Sequence, residues 1–329
     1  MLQFTLKRFL IIIPLLFLIS ATSFIILAAP PGDYVTSYVA RLSMQQGFPV
    51  TKEEEASLRN QYGLDRPLYV QYYKWITKVM RGNFGMSTTR EAPVNDLVKE
   101  RIVLTVGLSF LTIMFVWVLA IPIGIISAVK QYSILDYIAT FSAYIGVGTP
   151  NFLLALAIMW VVLDMGGGYI GGLFSPEYIE ADWSWDRVKD VFKHIWVPAI
   201  ILGTDGMAGL TRIVRANMLD ELHKPYVLTA LSKGLPVWKV ILKYPLRTAL
   251  NPFFSGIGYA LPQLFSGATI LGVVLGLPII GPLLLSATLD EDMLLAGSLL
   301  FVMSALTLVG TLVSDIVLAW ADPRIRIEG

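Results

Sequence analysis

The chain contains no cysteine among its 329 residues, so disulfide bonds and thiolate chemistry are excluded. Its only histidines, His194 and His223, are far apart in sequence and match no metal-ligand spacing. The sequence also lacks the patterns G-x-x-x-x-G-K-S/T, H-E-x-x-H and G-x-S-x-G, which mark a nucleotide-binding P-loop, a zinc protease and a serine hydrolase. We therefore expect no catalytic residue, no metal site and no cofactor bound by this chain itself.

Charge is also scarce, and long apolar runs take its place. Charged residues make up 15% of the chain, whereas an average soluble domain has about a quarter. Hydrophobic residues make up 55%, and the mean hydropathy is +0.67. The formal net charge of +1 provides no overall field that would attract nucleic acid. This composition is typical of a membrane protein.

The apolar runs predict an all-α, polytopic membrane protein. A helix that crosses a bilayer needs about twenty mostly apolar residues. We predict six such helices, at Phe9–Ala29, Ile102–Val129, Ile134–Leu163, Ile195–Val214, Leu250–Val274 and Met293–Trp320. The first run lacks an A-x-A-like cleavage site and is longer than the core of a signal peptide, so we interpret it as a membrane anchor.

The distribution of lysine and arginine predicts the orientation of these helices. Lys7 and Arg8 precede the first span and place the N-terminus in the cytoplasm. Six crossings return the C-terminus to the same side, in agreement with Arg324 and Arg326. The short segment 276–292 contains no lysine or arginine, as expected of an outer loop. We therefore predict that both termini are cytoplasmic and that residues 31–100 lie outside.

Local signals predict that this first outer segment is a small helical subdomain. Thr51 and Glu54 form a capping box for one helix, and Gly63 is suited to end it. Pro67 is placed to begin a second helix. The apolar residues of that second helix fall on one face, and they are Leu68, Tyr72, Trp75, Ile76 and Val79.

The basic segment Arg212–Arg247, between two predicted spans, is the most informative part of the chain. A short loop rich in lysine and arginine should face the cytoplasm. Within it, Ala230 and Gly234 are four residues apart and would share one face of a helix. Because that face would have almost no side chain, the backbone of a partner could approach it closely. We predict that it docks another protein.

Two carboxylates, Asp205 and Asp315, fall within predicted spans. An ionisable group at membrane depth is a candidate functional residue. Two such aspartates could share a proton in an intramembrane protease. The structural alternative is that each is solvated in a cavity or paired with a basic residue such as Arg212.

Glycine and proline are dense in the fifth predicted span, which favours a pathway wall over simple helix packing. The polar residues of this span and Asp205 are candidates for that wall. The full set is Asp205, Tyr259, Gln263, Ser266 and Thr269.

A series of short motifs runs in order along almost the whole chain. They are Leu6–Phe9, Ile13-Pro14, Pro31–Asp33, Tyr62–Leu68, Val70–Tyr72, Gly82–Gly85, Ser87, Pro93-Val94, Gly148–Phe152, Arg215–Leu219, Tyr226–Leu235 and Ala321–Arg326. In this order and spacing, the set resembles the permease subunits of the dipeptide/oligopeptide class of bacterial ABC importers.

The resemblance also assigns roles within the chain. Tyr226–Leu235 is similar to the family's E-A-A…G coupling motif, although Leu228 replaces the glutamate and Thr229 replaces the first alanine. It implies that the contact with an ATPase is made by Tyr226, Thr229, Ala230, Lys233, Gly234 and Leu235. It further implies an anchor helix at 1–30, an extracytoplasmic subdomain at 31–100 and a transmembrane core at 101–329, with a coupling loop at 212–247.

The resemblance implies an importer of several subunits in the bacterial inner membrane. This chain would form half of the pathway for di- or oligopeptides, beside a homologous, non-identical permease. Two cytoplasmic ATPases would bind ATP and Mg²⁺, and an extracytoplasmic binding protein would deliver the solute. Oligosaccharides or nickel complexes remain alternative solutes. A secondary transporter, an intramembrane aspartyl protease and a membrane receptor remain alternatives from other classes.

Overall fold

The architecture is helical throughout the ranges that a computed structural model of the protein describes, which are residues 2–29, 34–46, 49–167, 170–250 and 267–321. In these ranges the only pairing of β type is an isolated bridge between Met86 and Pro93. The prediction of an all-α protein is confirmed.

The helices have the following bounds. They are α1 (Leu2–Leu27), α2 (Tyr34–Gln46), α3 (Lys52–Tyr62), α4 (Leu68–Val79), α5 (Val94–Val129), α6 (Ile134–Gly148), α7 (Asn151–Asp164), α8 (Trp185–His194), α9 (Trp196–Leu222), α10 (Pro225–Ser232), α11 (Val237–Lys243), α12 (Pro245–Ala249), α13 (Ile280–Leu289) and α14 (Met293–Ala321). A 3₁₀ turn covers Pro176–Tyr178, and residues 267–274 are also helical.

Four helices in the described ranges are long and apolar enough to cross a bilayer. These segments are Thr5–Leu27, Val94–Val129, Trp196–Leu222 and Met293–Val317. They correspond to the first, second, fourth and sixth predicted spans, which confirms a polytopic membrane protein. Most of the fifth predicted span, Leu250–Val274, lies outside the described residues.

The third predicted span is divided by a sharp bend. Helices α6 and α7 together are long and apolar enough to cross, but their axes differ by 103°. Pro150 has no backbone N–H, and it disfavours helical geometry in the residue before it. Thr149 accordingly has extended dihedrals, with φ −104° and ψ 116°. The bend places a joint of non-helical backbone between two apolar half-helices.

Contacts between residues divide the chain into two compact units. The first comprises Leu6–Leu104 and Ile279–Val309, and the second comprises Met1–Thr5, Thr105–Pro278 and Gly310–Gly329. Helices α1, α5 and α14 each contribute residues to both units.

In the first unit, the helix signals of residues 51–79 are confirmed. The Thr51 hydroxyl accepts from the Glu54 N–H, and the Glu54 carboxylate accepts from the Thr51 N–H. Gly63 ends α3 in the left-handed conformation, with φ 71°. The apolar face of α4 buries Trp75, Ile76 and Val79 against Phe24 of α1, with Leu68 and Tyr72 packed alongside. The Trp75 indole also donates to the Ser298 hydroxyl of α14 at 3.4 Å, so α4 is packed directly on two apolar helices.

A buried carboxylate fixes one loop of this unit to the start of α14. Asp292 is fully buried, and one of its oxygens caps α14 by accepting from the Leu295 N–H at 3.1 Å. Its other oxygen accepts from the Ser87 hydroxyl at 2.6 Å and from the Thr89 hydroxyl at 2.8 Å. The hydrogen bonds from Ser87, Thr89 and Leu295 therefore replace those that water would make to this buried carboxylate.

In the second unit, residues 173–194 form a compact module around Arg187. The Arg187 guanidinium lies 4.4 Å from the Phe174 ring centroid and 4.8 Å from that of Trp183. The buried Asp190 accepts from the Ser175 N–H at 2.6 Å and from its hydroxyl at 2.7 Å. Burial opposes ionisation of Asp190, but these hydrogen bonds and the nearby basic side chains outweigh it, so the pKa of Asp190 is lowered.

Candidate functional site: the basic segment and the helices that hold it

The basic segment Arg212–Arg247 is folded into the end of α9 and three short helices. Pro225 occupies the first turn of α10, where its missing N–H has no cost. The helix ends at Ser232, and Gly234 follows in the left-handed conformation with φ 76°. This conformation ends a helix most readily at glycine, which has no Cβ. Pro236 then begins α11.

The prediction that Ala230 and Gly234 share an exposed helical face is wrong. Gly234 lies beyond the end of α10, because the backbone has already turned left-handed there. Ala230 is only 6% exposed and packs in a small core with Val227, Val240 and Tyr244. The small side chain of Ala230 therefore lets α10 approach α11 within this chain.

Part of the exposed surface of the segment is apolar instead. Large hydrophobic side chains of α10, of the turn after it and of the start of α11 are open to the surroundings, and they are Tyr226, Leu228, Leu231, Leu235, Val237 and Trp238. We refer to these six residues as the exposed apolar face. Leu228 and Trp238 are the most open residues of α10 and α11 in this set, at 56% and 61% exposure. Large apolar side chains exposed together in one short segment, with exposed polar neighbours such as Thr229 and Lys233, are typical of a protein interaction site.

Buried contacts hold this face in a fixed position. Ala128 of α5, Val214 and Met218 of α9, and Ala249 of α12 form one buried core. The Asn217 amide also donates to the Ala249 carbonyl oxygen at 3.1 Å. The segment is therefore a packed extension of α5 and α9, and a force on it would be transmitted to those helices.

A polar contact joins α10 to the end of α9. The Tyr226 hydroxyl donates to the Glu221 carboxylate. Partial burial raises the pKa of Tyr226, and the hydrogen bond and charge of Glu221 raise it further. Tyr226 therefore stays a neutral donor, and the contact orients the first turn of α10.

An ion pair between the buried Asp136 and the partly exposed Arg215 joins α6 to α9 close to this core, and sequence reasoning missed it. The Arg215 guanidinium contacts both carboxylate oxygens of Asp136, at 2.7 and 2.8 Å. The Ser127 hydroxyl and the Tyr132 N–H also donate to this carboxylate. In sequence, Asp136 is an acidic residue in the first turn of a helix, which is usually a solvated capping position. Its partner is 79 residues away, so no local pattern indicates the pair.

The proposed pathway residues are only partly within the described ranges. Asp205 is half-buried on α9, and no hydrogen bond or ion pair joins it to the described residues. Arg212, its suggested partner, lies over the Tyr144 ring at 5.8 Å instead. Thr269 is half-buried in helical segment 267–274, whereas Tyr259, Gln263 and Ser266 lie outside the described residues. The second membrane carboxylate, Asp315, has an interaction partner within the chain.

The left-handed turn after α10 provides a test of how the segment is built. An added Cβ at Gly234 would meet no atom within 4 Å, so a substitution there would strain only the backbone. We expect Gly234→Val to destabilise the turn by about 1–2 kcal/mol, because β-branched residues disfavour positive φ. Gly234→Asn should be much milder, since asparagine tolerates this conformation. Thermal unfolding of the two variants measures the difference, and equal midpoints would contradict this account of the turn.

The helices define an integral membrane subunit, and the exposed apolar face marks it as part of a larger assembly. Residues 120–327 match the family described as the inner membrane component of binding-protein-dependent transport systems, and residues 1–109 match the N-terminal domain of such components. The chain belongs to this family.

Relatives with assigned names match over nearly the whole chain. The oligopeptide transport system permease protein AppB of Bacillus subtilis is 32% identical over 328 residues, which are 99% of this chain and 100% of the relative. The permease proteins OppB of Haemophilus influenzae and Escherichia coli, also of oligopeptide transport systems, are each 30% identical over 332 aligned positions, with the same coverage.

Family membership settles the class of the protein. The chain is a membrane permease subunit of an ABC transport system, and it is not an enzyme. Such a permease works with a binding protein and an ATPase. The protease, secondary transporter and receptor alternatives are therefore set aside.

Proposed function

We propose that this chain forms half of the translocation pathway of an ATP-driven importer for di- and oligopeptides. The names of relatives that match 99% of the chain at 30–32% identity support the peptide class. The observation that carries the mechanism is the exposed apolar face, which buried contacts hold on α5 and α9.

The proposed assembly contains two permeases, two ATPases and one binding protein. The second permease is a homologous, non-identical chain, and the ATPases bind ATP and Mg²⁺. We place both termini and the basic segment in the cytoplasm, and residues 31–100 outside as the extracytoplasmic subdomain. The lysine and arginine distribution supports this orientation.

In this proposal the exposed apolar face sits in a groove of the ATPase, with Thr229 and Lys233 at its edge. Ala230 supports the face from beneath, and Gly234 sets the turn between α10 and α11. Closure of the ATPase pair on ATP draws the two permease segments together, and the spans change from inward-open to outward-open as rigid bodies. Asp205, Tyr259, Gln263, Ser266 and Thr269 remain the proposed wall residues of the pathway.

The experiment that tests this function is solute uptake by the complete importer. The chain is purified with its natural partner subunits, reconstituted in vesicles and supplied with the binding protein and ATP. We expect accumulation of labelled di- or oligopeptides that depends on ATP and on the binding protein. Uptake of oligosaccharides or nickel complexes without uptake of peptides would overturn the peptide assignment.

The proposed orientation is tested by cysteine labelling. The chain has no cysteine of its own, so only the introduced one reacts. Ser57 on α3 and Ser232 at the end of α10 are both exposed. We expect an impermeant thiol reagent to label Ser57→Cys from outside intact cells and to label Ser232→Cys only after the membrane is opened. The reverse pattern would show that the orientation is inverted.

A further inference from the structure

Helices α6 and α9 are joined at both ends of α6. At the first turn, Arg215 of α9 holds the Asp136 carboxylate with two hydrogen bonds. About 15 Å further along α6, Gly146 lies so close to α9 that an added Cβ would be 3.1 Å from the Ala208 Cβ. Between these points, Arg212 of α9 lies over the ring of Tyr144. Two helices fixed at separate levels cannot easily slide or rotate against each other.

The carboxylate in the first of these contacts, that of Asp136, is buried and accepts several hydrogen bonds. Asp136 is 2% exposed, and the Ser127 hydroxyl and the Tyr132 N–H donate to it as well as Arg215. Tyr132 has a left-handed backbone, with φ 62°, which is unfavourable for a residue with a side chain. The hydrogen bond to Asp136 stabilises this turn between α5 and α6. A buried charge with several donors depends on all of them, unlike an exposed surface pair.

The same turn of α9 also carries the basic segment. Arg215 lies next to Val214 and three residues before Met218, both of which are in the core that holds Ala249 of α12. One short stretch of α9 therefore contacts α6 through Arg215 and the basic segment through its apolar side chains. A displacement of the segment would reach α6 through this stretch.

The broken span continues beyond α6 through a bend. The chain turns by 103° between α6 and α7, at Thr149 and Pro150. Helix α7 also contacts α9. Both halves of the broken span are therefore placed to follow a movement of α9.

We propose that Asp136 and Arg215 are positioning residues that make α6 move with α9, so that force on the basic segment reaches the broken span. This inference rests on the proposed ATP-driven transport and adds the route by which the force reaches the broken span. The Asp136–Arg215 pair contacts neither ATP nor solute in this mechanism.

Loss of the pair should uncouple ATP hydrolysis from transport. In the reconstituted importer, we expect Asp136→Asn to lower the amount of solute moved per ATP by at least about fivefold, the lower end of typical couplings between sites. ATP hydrolysis and co-purification of the ATPase should persist. Arg215→Lys should give a smaller loss, because lysine keeps the charge but not the two-pronged contact. Asp186→Asn, which removes an exposed pair with Lys189, is the matched control and should have no effect.

A covalent link between α6 and α9 tests the same claim without removing a charge. The double variant Gly146→Cys with Ala208→Cys is oxidised in the membrane to form a disulfide between α6 and α9. If α6 and α9 move together, the importer with the link closed should transport solute as fast as the same double variant with its cysteines reduced. The link should also restore coupling to an importer that carries Asp136→Asn.

Each result decides the inference separately from the proposed function. Transport blocked by the link would show that α6 moves relative to α9 and would overturn the inference. So would normal solute per ATP in Asp136→Asn, whatever its thermal stability. Failure of the unaltered importer to move peptides would refute the peptide assignment only, since coupling can be measured with whichever solute that importer accumulates. An Asp136→Asn protein that no longer assembles is replaced by Arg215→Lys and the linked variant, which give the same two outcomes.

Discussion

Replacement of Leu228 or Trp238 by aspartate is expected to release the ATPase while the permease stays folded in the membrane. Both side chains belong to the exposed apolar face, and more than half of each is exposed. A large apolar residue at the centre of an interface typically contributes about 2 kcal/mol or more, so each variant should bind the ATPase at least about thirty-fold more weakly. Binding is measured by titration of purified ATPase on the permease, and ATP-driven uptake should fall in parallel.

The control for this experiment is the same change at an equally open tryptophan elsewhere. Trp185 begins α8, far from the basic segment in sequence, and is 72% exposed. Trp185→Asp should leave ATPase binding unchanged. Undiminished binding by both Leu228→Asp and Trp238→Asp would show that the ATPase docks on another surface. Thermal unfolding should be unchanged in all three variants, because none of these side chains is buried.

Gly124→Leu is expected to disrupt the packing of α5 on α9 and to abolish assembly of a working importer. An added Cβ at Gly124 would lie 2.8 Å from the Val214 Cβ and 2.9 Å from the Thr211 carbonyl oxygen. Both distances are below any normal contact, and the carbonyl is backbone that cannot turn away. Overpacking of this kind typically costs about 1–3 kcal/mol, and a leucine here also displaces the core that holds the basic segment.

Gly107 on the same helix provides the matched control. An added Cβ at Gly107 would meet no atom within 4 Å. Gly107→Ala should therefore be neutral or slightly stabilising, because alanine favours a helix by about 1 kcal/mol over glycine. Gly124→Ala should already lower the thermal midpoint of the purified protein. Equal midpoints for the two alanine variants would contradict the close approach of α5 and α9.

Short-range signals predicted well where the cause is local. The capping box of Thr51 and Glu54, the end of α3 at Gly63 and the apolar face of α4 were all readable, because each depends on residues within one or two helical turns. Helices long enough to span were equally clear from apolar length alone. The bend in the third span had a visible signal in Pro150, but its size depends on what the two half-helices pack against.

The basic segment shows where this reasoning fails. The four-residue spacing of Ala230 and Gly234 predicted a shared face, but that rule holds only while the helix continues, and α10 ends at Ser232. Which face is exposed was decided by contacts between α10 and α11. The resemblance assigns the ATPase contact to this stretch, and that assignment stays a prediction. The open side chains of the stretch include large apolar ones that the spacing did not single out.

The sequence by itself determined that this is a helical membrane protein of an import system, because apolar length and ordered motifs are properties of the chain alone. Only the tertiary structure decided which residues act together. Asp136 and Arg215 are 79 residues apart, and their contact exists only because α6 packs on α9. Burial has the same origin, since whether Ala230 or Leu228 faces outward depends on the helix that covers the other side. Local sequence patterns reflect the stability of a single helix, whereas an ion pair between helices or a docking face depends on how several helices pack together.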